Sequence, residues 1–190
     1  MSSRPDANAR LLMLHKPKGY VVTRSDELGR KTVYELLPAW AFDEDWQPVG
    51  RLDLESKGLL LFSKDGRDVD ALTRPGHLLK LYEIWVRGKV MPGHVAAALK
   101  GVETPEGLCR AKSVEPLGGV GAKSRLRVTL DEGKNRHIRR LFGGLKDEKF
   151  GTPLKVLELK RLAIGDLTLD IPSGEWRVLT PEETVRLVGR

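Results

Sequence analysis

An aspartate flanked by glycines is the first residue of this chain that could do chemistry. Asp53 lies in the segment 50–58, which leads directly into the continuous apolar run 59–62. A loop held against a buried strand is a rigid place for a carboxylate that acts as a nucleophile or a base. Most aspartates in loops form turns instead, so the spacing alone leaves both interpretations open.

A cluster of basic residues in the segment 131–140 is the second feature. Four cations lie within seven positions, at the start of a segment (135–145) whose apolar residues have helical spacing. A helix would make Arg136, Arg139 and Arg140 neighbours. Such a basic face suits contacts with phosphates, or a cation directed at a buried acid. A solvated basic face is the alternative interpretation.

A tyrosine on an alternating segment is the third feature. Tyr82 shares one face of the predicted strand 81–90 with Ile84 and Val86. The usual role of such a tyrosine is packing in the core with its hydroxyl hydrogen-bonded. Stacking on a nucleic-acid base is the functional alternative.

The elements that must position these residues indicate an α+β fold with a mostly antiparallel mixed β-sheet and flanking helices. Predicted strands outnumber helices, and no regular alternation of strand and helix occurs. The predicted elements are strands over 10–15, 59–62, 81–90, 108–114 and 124–130, helices over 32–37, 92–99 and 135–145, a loop over 118–121, and a capped helix start at Thr180.

Charge and composition narrow the class of protein. The 190 residues include 33 Lys and Arg against 26 Asp and Glu, and the net charge of +7 favours a polyanionic partner. The apolar runs are too short to span a bilayer. A single cysteine forms no intrachain disulfide, and the four histidines are too scattered to predict a metal site.

Four short motifs follow one another in a fixed order. They are Lys16-Pro17-Lys18-Gly19, Gly50-Arg51-Leu52-Asp53 with the segment 58–66, Lys80-Leu81-Tyr82, and the basic segment 132–140. Their order and spacing resemble those of bacterial ribosomal-RNA pseudouridine synthases of the RsuA type, from about Leu11 onward. The chain departs from that pattern at Ser56, where most members carry Thr, at His137, where most carry Gln, and in the irregular segment 146–152.

The resemblance implies the pseudouridine synthase fold and the isomerisation of a uridine in structured RNA. The C1′–N1 bond breaks, the base turns, and it is rejoined through C5 after being flipped out of its stack. Asp53 is then the catalytic carboxylate, and Arg139 is the neighbouring cation that pairs with it and favours its charged form. Tyr82 is the ring that stacks on the uracil and assists proton removal from C5. The residues expected to bind substrate phosphates or to shape the pocket are Lys16, Arg51, Lys80, Arg136 and Arg140. No cofactor and no metal are expected, because the reaction needs no redox change and no group donor.

The resemblance also implies a domain organisation and a partner. We expect a flexible tail over 1–9 and one catalytic domain over 10–190, with two packed subdomains as an open alternative. No S4-type RNA-binding domain is expected. In this respect the chain resembles the large-subunit subtype called RluE, which lacks such a domain. The expected partner is 23S ribosomal RNA or a pre-ribosomal particle, and the protein is expected to be a cytoplasmic monomer without membrane contact.

Two other functions remain open at this point. A non-catalytic RNA-binding or ribosome-assembly factor would also bind RNA in a salt-dependent way. Such a factor has no use for Asp53, because an acid in a pocket for an anionic ligand repels phosphate. A metal-dependent nuclease is a more distant alternative, and it would need clustered carboxylates that the sequence does not show.

Overall fold

The computed structural model describes residues 9–189, so the predicted tail over 1–9 lies outside the described residues except for Ala9. The backbone divides into two compact units. The first comprises the chain up to Leu78 together with the chain from Leu162 onward, and the second comprises Leu79–Arg161. Along the chain, the second unit is therefore inserted between the two parts of the first.

Apolar strands form the centre of the first unit. Strand β1 (Leu11–Lys16) pairs antiparallel with β3 (Lys57–Ser63) and with β9 (Trp176–Val178), and β3 also pairs antiparallel with β2 (Gln47–Val49). All of β1 and all but the first residue of β3 are buried. Burial on both faces explains why the apolar runs within these strands, 11–14 and 59–62, show no polar alternation. The other elements of this unit are a 3-10 turn (Val33–Leu36), α1 (Ala39–Asp43), α2 (Gly66–Thr73), β8 (Leu167–Thr168) and α5 (Pro181–Val188).

The second unit is built on an antiparallel meander. Strand β6 (Lys123–Leu130) pairs with β4 (Lys80–Arg87) on one side and with β5 (Ser113–Val120) on the other. Burial alternates along β4, as expected for a strand with one face toward a core. The other elements that begin in this unit are α3 (Pro92–Lys100), α4 (His137–Gly143) and β7 (Lys155–Ile164), whose last residues belong to the first unit and pair with β8.

The predicted α+β class with mostly antiparallel strands and flanking helices is confirmed, since the paired strands described above within each unit are all antiparallel. Over the described residues, 9–189, no helix combines the length and apolar character needed to cross a bilayer.

Two local predictions are wrong. The predicted loop over 118–121 lies mostly within β5. This strand begins at Ser113, five residues later than the predicted strand over 108–114. A register shift between Pro116 and Gly119 accommodates the glycines, and a Cβ on Gly119 would lie 2.2 Å from the carbonyl oxygen of Lys123, so only glycine fits this close approach. The predicted helix over 32–37 is a single 3-10 turn.

Candidate active site

The loop that carries Asp53 connects β2 to β3 in the first unit. It leaves β2 through Gly50, whose φ of +71° is a left-handed conformation that glycine adopts without strain. Leu52 is buried and anchors the loop, and the amide of Ser56 donates to the carbonyl of Asp53 over 3.0 Å. The Asp53 side chain is half-buried. The loop therefore presents its carboxylate from a backbone that is fixed on both sides.

The ammonium group of Lys16 supports this loop through hydrogen bonds to its backbone. Lys16 ends β1 and is 0% exposed. Its Nζ donates to the carbonyl oxygens of Pro17 and Asp53, each over 3.1 Å, and of Ser56 over 2.8 Å. Of the two roles predicted for Lys16, contact with an RNA phosphate is at odds with this complete burial. The geometry favours the other role, in which the residue shapes the site.

Burial also changes the acidity of Lys16. Loss of hydration disfavours its charged form and lowers its pKa from 10.5 to about 8, although the nearby charges of Asp53 and Glu55 act in the opposite direction. A group with this pKa begins to lose its proton at mildly alkaline pH. The number of donors that support the Asp53 loop therefore depends on pH in that range.

Lys80 and Tyr82 lie on the buried face of β4 in the second unit. Lys80 is 8% exposed and Tyr82 is 6% exposed, and they share this face with Ile84 and Val86. Burial lowers the pKa of Lys80, the charge of Arg161 lowers it further, and Asp131 opposes the change. The predicted face of Tyr82 is therefore confirmed. In this conformation only a small part of the ring is accessible, and its stacking role stays a prediction.

The basic segment is arranged differently from the prediction. Arg136 has a φ of +48°, directly before α4, and is exposed, so it does not share a helical face with the other two arginines. The guanidinium of Arg139 donates to the carbonyl of Val156 over 3.0 Å. The guanidinium of Arg140 is paired with Glu106 at 3.0 Å. The apolar face of α4 is buried as predicted.

A cavity of about 690 Å³ lies within the second unit beside this segment. Arg136 and Arg139 both line it, whereas Arg140 does not. The lining also includes Arg87, Phe150 and Lys155, which the sequence analysis did not single out. For Phe150 the sequence contains a signal, because this aromatic residue stands in the polar, irregular segment 146–152.

The predicted site residues are thus distributed over both units. Lys16, Arg51 and Asp53 belong to the first unit, where Lys16 and Asp53 are in contact and Arg51 is exposed. The predicted residues of the second unit are Lys80, Tyr82, Arg136, Arg139 and Arg140.

Metal-ligand clusters are not found among residues 9–189, where no group of three or more His, Cys, Asp and Glu could hold a metal ion. A metal-dependent nuclease has no carboxylate cluster to rely on in that part of the chain.

Comparisons with known proteins agree with the motifs. The sequence profile described as RNA pseudouridylate synthase matches residues 10–143. "Ribosomal large subunit pseudouridine synthase B" of Haemophilus influenzae is 38% identical over 91% of this chain and 47% of its own length. The protein of the same name from Vibrio cholerae is 36% identical over 94% of this chain and 54% of its own length. The chain therefore spans about half the length of these curated relatives, whose names do not support the RluE subtype in particular.

The fold gives the same result. A crystal structure described as pseudouridylate synthase superimposes with a TM-score of 0.80, at 28% identity, and covers 95% of this chain and 74% of the other. Because the profile covers more than half of the sequence and the solved structure has the same fold, this chain belongs to the RNA pseudouridylate synthase family.

Proposed function

We propose that this chain isomerises uridine to pseudouridine in RNA, and that its substrate is 23S ribosomal RNA or a cytoplasmic precursor particle that contains it. Family membership supports the reaction. The names of the curated relatives, which refer to the ribosomal large subunit, support the substrate. The basic composition suits a polyanionic partner.

The observation that carries the proposal is the support of the Asp53 loop. The half-buried carboxylate of Asp53 belongs to a loop that the fully buried ammonium of Lys16 supports. This ammonium donates hydrogen bonds to three backbone carbonyl oxygens. Burying a lysine is costly, because its charge loses hydration. A protein that only bound RNA would have no use for an acid fixed in place at this cost.

In the proposed reaction the C1′–N1 bond of the target uridine breaks and a C1′–C5 bond forms. C5 loses its proton and N1 gains one, so the product is an isomer and no co-reactant is consumed. Asp53 supplies the carboxylate, as nucleophile or as base. Tyr82 contacts the uracil and assists removal of the C5 proton. Arg139 supplies a positive charge that favours the charged form of the Asp53 carboxylate. These two roles follow from the family resemblance, and each is open to test by its own substitution.

The direct test uses purified protein and a full-length transcript of 23S ribosomal RNA. Pseudouridines are mapped by chemical modification and reverse transcription before and after incubation. We expect a new pseudouridine at one or a few defined positions. A non-catalytic RNA-binding factor would retain the transcript on a filter but leave its uridines unchanged, and that result would favour the alternative function.

A further inference from the structure

A short loop in the second unit is organised around one buried carboxylate. Asp147 accepts hydrogen bonds from the backbone amides of Lys89, Lys149 and Phe150, each over 3.0 Å. Its own amide and carbonyl close the loop by bonding to Thr152 and Gly151 over 2.8 Å. The hydrogen bonds that the carboxylate accepts from these amides lower the pKa of Asp147, and the bond from Lys89 has the largest effect. The loop is therefore a fixed feature of the surface.

This loop presents an aromatic ring to solvent. Phe150 is 65% exposed, although a phenylalanine is ordinarily among the more buried residues. The ammonium of Lys149 lies 5.1 Å from the centre of its ring. A largely exposed ring can stack on a flat base, and the ammonium beside it can contact a phosphate.

The cavity that Phe150 lines is rich in cations. Arg87, Arg136 and Lys155 line it as well, and all three are exposed. Among residues 9–189, these three side chains make no hydrogen bond or ion pair with another residue. The one acid in the lining, Asp147, is already hydrogen-bonded to three amides. The cavity therefore combines unneutralised positive charge with one exposed aromatic ring.

We propose that an unpaired nucleotide of the substrate RNA binds in this cavity, with its base stacked on Phe150 and its phosphates contacted by Arg87, Arg136 and Lys155. Aromatic rings interleaved with basic groups are the usual means of holding unpaired nucleotides. The inference rests on the proposed function for the identity of the ligand. It adds a residue outside the resembling motifs that recognises RNA through an unpaired base.

The test compares substitutions at position 150 by their affinity for a full-length 23S ribosomal RNA transcript. Phe150→Ala should weaken binding roughly tenfold, which corresponds to the loss of one stacked base. Phe150→Tyr keeps a flat ring and should bind nearly as wild type. Phe150→Leu keeps the apolar surface but not the ring, and should behave like Phe150→Ala. Val120→Ala is the matched control, because Val120 is also highly exposed in this unit and lies outside the cavity.

The basic residues give a second readout. Arg87→Gln and Lys155→Gln should each reduce the slope of log affinity against log salt by about 0.7, the value for one phosphate contact on a single strand. Unchanged affinity of Phe150→Ala for the transcript would overturn the proposal, as would wild-type affinity of Phe150→Leu. Loss of binding to ribosomal particles alone, with the naked transcript bound normally, would indicate a protein partner and would also overturn it.

These affinities are independent of the catalytic proposal. If wild type binds the transcript through Phe150 but forms no pseudouridine, the proposed function fails and the RNA contact stands. If wild type forms pseudouridine and Phe150→Ala binds and reacts normally, the contact fails and the proposed function stands.

Discussion

At the scale of single residues, a buried ammonium at the end of β1 supports the loop that carries a half-buried carboxylate. Lys16 donates to the carbonyl oxygen of Asp53, and the negative charges of Asp53 and Glu55 partly offset the effect of burial on its pKa. The ammonium acts on the backbone of the loop that carries the carboxylate of Asp53. We therefore propose that Lys16 positions the loop and that the Asp53 carboxylate contacts the substrate.

Two of the three arginines that line the cavity, Arg136 and Arg139, should respond differently to truncation. Arg139→Ala should lower turnover more than RNA affinity, because its proposed role is in the reaction and its guanidinium also holds the carbonyl of Val156. Arg136→Ala should mainly weaken RNA binding and flatten its salt dependence, because Arg136 is exposed and outside the helix. Single-turnover rates and dissociation constants, measured for both variants at two salt concentrations, check this. Equal effects on rate and on affinity in the two variants would contradict a separate role for Arg139.

At the scale of elements, the Asp53 loop should make turnover sensitive to alkaline pH. As the pH rises through about 8, Lys16 loses its proton and one of its three donors. We therefore expect turnover to fall above that pH. The folded-state pKa lies below the ordinary value of 10.5, so the unfolded chain holds more protons between the two values and the contribution of Lys16 to folding stability rises with pH there. Activity should thus fall without loss of the fold.

The measurement is a pH profile of single-turnover rate beside a thermal unfolding curve at each pH. Lys16→Met is the control, since its rate should be low and show no inflection near pH 8. A wild-type rate that stays constant up to about pH 9 would show that the ammonium form is not needed.

The loop around Asp147 gives a second prediction at this scale. Asp147→Ala should accelerate hydrogen exchange at the amides of Lys89, Lys149 and Phe150, because it removes the acceptor that all three share. The pKa of Asp147 is lowered in the folded protein, so its support is present above its unfolded pKa of about 3.9 and is lost as the pH falls through the lower folded value. Glu148→Ala, at the exposed next position, should leave exchange at these amides unchanged. Equal protection in both variants would show that the carboxylate does not order the loop.

Local patterns predicted some elements well and others poorly. The apolar runs of β1 and β3 and the capped start of α5 are local signals, and the structure has strands and a helix there. The role of Lys16 depends on carbonyl groups up to 40 positions away, and no local pattern reports such a contact. The strand at Gly118 and Gly119 was missed because a bulge and a close backbone approach, not a side-chain pattern, accommodate the glycines.

At the scale of the whole molecule, charge and composition predict the kind of RNA that is modified. The net charge is +7 but aromatic residues are only 6% of the chain, so a long stacking track for single strands is not expected. Basic groups spread over a folded surface respond to the geometry of phosphates, which a folded RNA holds in a fixed pattern. We therefore expect faster modification of a folded 23S RNA domain than of a short unfolded oligonucleotide with the same local sequence. Equal rates at equal salt would show that local sequence is sufficient.

The central claim is that this protein isomerises uridine through the carboxylate of Asp53. The most direct test compares wild type with Asp53→Asn for pseudouridine formation and for affinity on the same 23S RNA transcript. Asparagine is nearly the same size but is neither a nucleophile nor a carboxylate base. We predict that the variant folds and binds the transcript nearly as wild type does, while its rate falls by several orders of magnitude. A residual rate above about one per cent of wild type would contradict the assignment of Asp53 as the catalytic residue.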